Sequence, residues 1–151
     1  MDHRLSDAGW PMKIGDQEYK ACMLTDRDYG DLSRYIQSVY LDNAFAAADL
    51  NEDSERQFQL RKFALSEVSN VGWNTLEGVR IMATKIGILH IGHQMIRKRH
   101  SNITFPVFRV EAEKDIVRSL TEINLVDKQL NYVKQEDGES GGTSTENDKS
   151  E

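Results

Sequence analysis

Cysteine and proline are scarce in this chain: its 151 residues hold one cysteine and two prolines. A lone Cys22 excludes an internal disulfide and a cysteine-based zinc cluster, and fits a reducing compartment. In a strand-like context such a thiol reads as a small buried hydrophobe. No run approaches the roughly 20 apolar residues needed to span a bilayer. The first ten residues, MDHRLSDAGW, are acidic and polar where a secretion signal needs an apolar stretch. Glycines never adopt a phosphate-cradling spacing, and no strand–turn–helix elbow frames a nucleophile. The expectation is therefore a small folded module that binds a partner and is not an enzyme.

Charge is present but unevenly placed. The formal net charge is −6. Residues Gln135–Glu151 hold six acids against Lys149 alone, which leaves the body near neutral. Asp42–Glu55 carries five acids and no base, whereas Gly78–Val110 carries six bases and no acid. These segments read as solvated or mutually facing surfaces, or as a basic surface for an acidic partner. Without a strong overall basic excess, nucleic acid is not an expected partner.

The pattern along the chain predicts a mainly α fold with a short N-terminal β-hairpin: a compact bundle of about four to six helices and a disordered acidic tail. Residues 1–11 read as a flexible leader, 12–133 as a single domain and 134–151 as the tail. Met12–Ile14 and Glu18–Met23 flank Gly15-Asp16, a pair suited to a tight reversal. Tyr19, Ala21 and Met23 alternate with polar neighbours. Thr25 then supplies an N-cap, with Asp26 and Asp28 in the first turn, where the helix dipole favours anions. Leu32, Tyr35, Ile36, Val39 and Tyr40 give that helix its apolar stripe to about Leu41, followed by an alanine-rich helix tail and an acidic loop.

From Ser54, with Asp53 or Ser54 as cap, a second stripe runs through Phe58, Leu60, Leu65 and Val68 until Gly72-Trp73-Asn74 breaks it. One long helix is expected from Thr75 to about Ile96. Its glycines Gly78, Gly87 and Gly92 imply close helix–helix approach, or a kink near Gly87 or Gly92. Ser101–Ile103 is a turn and Thr104 a cap, with Pro106 harmless in the first helical turn. Ile116, Val117, Leu120 and Ile123 form one face of a helix over 111–124, and Leu125–Val133 adds a last short one. From Gln135 onward nothing apolar remains to offset the entropy of ordering.

His90, His93 and His100 share a helix face at a spacing zinc could use. No acidic or cysteine ligand lies near them, and Arg97 intrudes on that face. Histidines used in packing are the stronger expectation, and no cofactor is implied. Arg97-Lys98-Arg99-His100 ends the long helix, where cations complement the macrodipole or dock an acidic or helical partner. Trp10 and Trp73 flank helix breaks and read as closing core edges.

Two stretches resemble a known family. Ile14-Gly15-Asp16-Gln17-Glu18-Tyr19-Lys20, followed by the Leu24-Thr25-Asp26-Arg27-Asp28 step into a helix, is similar to the front of tailed-bacteriophage tail assembly chaperones. Glu77–Arg80 and Met95–Thr104 resemble their second half, where a helix ending in Leu-Arg-Lys precedes His-Pro, a polar residue, Ile and Thr. Here Ile96 replaces the leucine and Ser101 the proline. The resemblance spans about Met12–Asn124.

It implies a non-enzymatic helper that coats the tape measure protein in the host cytoplasm. The tail tube protein is a second potential partner, recruited through the flexible extension. No membrane contact is implied, and the oligomeric state stays open. On spacing, the partner-binding candidates are Ile88, Ile91, Met95, Arg97 and Arg99. A structural minor tail or connector component is the alternative, and a metal-dependent or nucleic-acid-binding regulator a third reading.

Overall fold

The computed structural model describes residues 9–132. The expected leader up to residue 8, residue 133, and the acidic tail expected over 134–151 lie outside the described residues. The expected architecture holds: an antiparallel hairpin is followed by six α-helices among the described residues. The chain divides into two compact units. One comprises the hairpin segment to Met23 together with residues from Ile88 onward, and the other spans Leu24–Gly87.

In the first unit, β1 (Trp10–Ile14) pairs with β2 (Gln17–Ala21), with Met12 opposite Tyr19 and Ile14 opposite Gln17. The strand begins at Trp10, so Trp10 and Pro11, expected in the leader, belong to the hairpin. Period-two alternation buries Met12, Ile14, Tyr19 and Ala21 while Lys13 and Lys20 face solvent. Gly15 turns the chain at φ +58°, and a Cβ there would stand 2.2 Å from the Glu111 carbonyl oxygen. Only glycine fits. The strand ends at Ala21 because the Cys22 N–H donates to the Met95 carbonyl at 2.8 Å.

Three helical stretches complete this unit. They are the later part of α4 (Lys85–Ile96), α5 (Phe105–Glu113) and α6 (116–132). Thr104 stands at the N-cap of α5, yet its hydroxyl makes no cap hydrogen bond. The break expected near residue 124 falls instead at 114–115, and α6 runs unbroken. Of the face predicted for it, Ile123 is fully buried but Val117 is 74% exposed. The turn between α5 and α6 is fastened by Ser119, whose Oγ donates to the Ala112 carbonyl. Gly92 lies against Ile123 and Phe108, the close approach its sequence position implied.

In the second unit, α1 (Asp26–Asp49) starts from a full capping box: the Thr25 hydroxyl accepts from the Asp28 N–H, and the Asp28 carboxylate accepts from the Thr25 N–H. It extends through the alanine-rich segment, whose helix propensity carries it past Leu41. α2 (Ser54–Glu67), capped by Asp53, and α3 (Leu76–Met82), capped by Thr75, pack against α1. Arg61 on α2 pairs with Asp49 and lies over the Phe45 ring.

The helix expected from Ser54 is present, and its stripe lies open to solvent: Phe58 is 65% and Leu65 55% exposed. Their i, i+7 spacing puts them together, while the buried residue of this helix is the small Ala64. The long helix expected from Thr75 to Ile96 is two helices. Thr84 stops the first by donating to the Ile81 carbonyl, and starts the second by accepting from the Gly87 N–H. At Gly87 a Cβ would meet the Ile81 oxygen at 2.5 Å and Met82 Cα at 2.6 Å, so this glycine serves the corner between α3 and α4.

Candidate functional site

A groove of about 700 Å³ lies in the second unit. One wall is the N-terminal half of α1, where Asp26, Tyr29, Gly30, Ser33 and Gln37 recur at helical spacing on one side. The other wall is the 69–75 segment between α2 and α3. This loop stays close to α1 because its backbone groups are satisfied by side chains. Gln37 Nε2 donates to the Val71 carbonyl at 3.0 Å, and the Trp73 N–H donates to Ser33 Oγ at 3.3 Å.

Thr75 closes the loop on itself. Its hydroxyl accepts from the N–H groups of Gly72 and Gly78 and donates to the Gly72 carbonyl at 2.8 Å. Tyr29 and Trp73 meet edge to face across the groove, ring centroids 5.0 Å apart. Trp73 also borders a second, smaller cleft of about 290 Å³, walled by Gly78, Val79, Met82 and Ala83.

The chemistry of this lining is narrow. Hydroxyls, amides and two aromatic rings dominate, and the one side chain that is charged at neutral pH is Asp26. No lysine, arginine, histidine or cysteine contributes to the lining. The groove therefore suits hydrogen bonding and aromatic contact. It has no cation to hold a phosphate and no imidazole to move a proton.

The residues singled out from sequence lie elsewhere, in the α4 region. Met95 is 1% and Ile91 8% exposed, so neither offers an apolar surface to a partner. Ile88 is half-buried, Arg97 half-buried with its guanidinium donating to Gln94 Oε1, and Arg99 exposed.

The three histidines are each engaged within the fold. His90 stacks on Phe105 with centroids 3.8 Å apart, and burial pushes its pKa down to about 4, with the charges of His93 and Arg109 adding to the effect. His93 donates through Nε2 to the Ile103 carbonyl at 2.8 Å; burial lowers its pKa, against that hydrogen bond. His100 accepts the Lys20 N–H at 3.0 Å. Among the described residues no group of three or more histidine, cysteine and acidic side chains is placed to hold a metal.

The groove was missed in the sequence because its two walls lie about forty residues apart. One signal was available. Gly30 falls inside a well-capped helix, where glycine costs about 1 kcal/mol relative to alanine. Trp73, read as closing a core edge, is half-buried and shared between two cavities.

No helix of the described residues is long and apolar enough to cross a membrane. A scan of protein-family models and searches of curated proteins and of solved structures return no match to this chain.

Proposed function

We propose that this chain is a non-enzymatic binding protein that shields an amphipathic helix, acting as a tail assembly chaperone for the tape measure protein of a tailed bacteriophage. The observation that carries the reading is a set of large apolar side chains left in solvent in the second unit. Phe58, Phe63, Leu65, Leu76 and Val79 are all more than half exposed, although α2 and α3 are well-formed helices. Large apolar side chains kept in water mark interaction surfaces when they cluster. A long helix with a bare apolar stripe is the kind of partner such side chains cover. The hairpin and the Leu24-Thr25-Asp26 step add the family resemblance.

The groove chemistry is in keeping with binding. Its lining supplies hydrogen bonds and aromatic surface without an acid–base pair or an anion-holding cation. The test is co-expression with a tape-measure fragment from the same genome. The fragment should stay soluble with the wild-type chain and precipitate with a Phe58→Ser/Leu65→Ser variant. Equal precipitation with and without the wild-type chain would refute the proposal.

A further inference from the structure

Seven glycines are described, and five of them have a reason inside the fold. Gly9 and Gly15 adopt positive φ, and a Cβ on Gly78, Gly87 or Gly92 would stand within 2.7 Å of a neighbouring atom. Gly30 and Gly72 have no such reason. Nothing lies within 4 Å of a Cβ built on Gly30, and one on Gly72 would make an ordinary 3.5 Å contact with Ser33 Oγ. Both line the same groove. A helix-interior glycine facing open space exposes α1 backbone that an alanine would cover, and the benefit falls to whatever lies against it.

We propose that this groove binds a polypeptide segment, whose main chain passes over Gly30 while one apolar side chain enters the cleft beyond Trp73. The groove's Asn70 and Asn74 amides, with the Ser33 O–H and Gln37 Oε1 left over from holding the loop, match the donors and acceptors of a peptide backbone. The adjoining cleft is walled by Val79, Met82, Ala83 and the Trp73 ring, and its volume of about 290 Å³ accommodates a leucine- to phenylalanine-sized side chain. That apolar neighbour favours a peptide over a saccharide, which would use the polar groove and the rings but leave the cleft empty. Asp26, as the charged lining group, selects a neutral or basic segment over an acidic one. The site does not depend on the tail-assembly reading, since any polypeptide of this chemistry fits it.

The experiment is a selection of random displayed dodecapeptides on the full chain, with the Gly30→Leu protein as counter-selector. Enriched sequences are then synthesised and titrated against a Trp10→Phe protein, in which Trp73 is the remaining tryptophan. The expected result is a shared apolar position, a change in Trp73 emission, and binding weakened at least tenfold by Gly30→Leu and by Ala83→Phe. The second variant fills the cleft from an exposed position, so the result stands even if Gly30→Leu perturbs α1. Absence of enrichment, or peptides that bind both variants as well as wild type, overturns the site. So does maltotriose shifting Trp73 emission where no selected peptide does, which would make the occupant a saccharide. Solubility of a tape-measure fragment enters none of these measurements, so the two proposals fail separately.

Discussion

Gly92 faces Ile123 across the first unit so closely that a methyl group on it would stand 2.7 Å from Ile123 Cδ1 and 3.0 Å from Phe108 Cζ. Both neighbours are fully buried, so neither has room to retreat. Gly92→Ala should therefore destabilise the chain by about 1–3 kcal/mol, the overpacking cost outweighing the gain in helix propensity. A urea titration followed by far-UV circular dichroism reads this as a lower midpoint at constant slope.

Gly30→Ala should do the opposite. The position is helical and open, so the substitution should add about 0.5–1 kcal/mol and raise the melting temperature by a few degrees. A lowered melting temperature would show that the α1 backbone at residue 30 is crowded. The contrast between two helical glycines, one required and one dispensable, separates packing from function at the same residue type.

Thr75→Ala should cost about 1–2 kcal/mol. It removes the N-cap acceptor of α3 together with the hydroxyl that holds Gly72 at both its N–H and its carbonyl. Because the same bonds shape the 69–75 segment, hydrogen exchange at Gly72 and Trp73 should accelerate more than exchange in α5. Equal acceleration in both places would assign Thr75 a global role only.

Stability should decline on mild acidification. His90 has a folded pKa of about 4 against an ordinary value near 6.5, so the unfolded chain takes up protons first. Its contribution is complete above pH 6.5 and is lost as pH falls from there towards 4. His93 is shifted in the same direction by burial. Allowing for solvent screening of a half-buried ring, His90 accounts for about 1–2 kcal/mol over that window. Replacing it in His90→Phe, which keeps an aromatic against Phe105, should flatten the dependence of urea midpoints between pH 7 and 4.5.

The hairpin and the starts of α1, α2 and α3 were legible because each is written locally. Gly15-Asp16 between alternating apolar residues specifies a reversal, and Thr25, Asp53 and Thr75 are caps whose side-chain oxygens reach N–H groups two or three residues on. The corner at Thr84 escaped because its apolar stripe continues without interruption from Leu76 to Ile96. Only the Thr84 hydroxyl, acting on Ile81 and Gly87, divides it. The exposure of Phe58 and Leu65 was not legible for a related reason. A stripe at helical spacing states which residues share a face but not which face meets a neighbour, and here α2 buries Ala64 instead.

The groove lies at the far end of this progression. Tyr29 and Trp73 each look unremarkable in their own segments, and it is folding of the 69–75 loop onto α1 that brings their rings to 5.0 Å. By itself the sequence determined the element types, the caps at Thr25, Asp53 and Thr75, and the hairpin reversal at Gly15-Asp16, since these depend on hydrogen bonds and periodicity within a few residues. Tertiary structure alone decided that Met95 and Ile91 are interior while Phe58 is not, and that two unneeded glycines line one cavity. Burial and cavity shape are properties of distant segments brought together, and no local pattern encodes them.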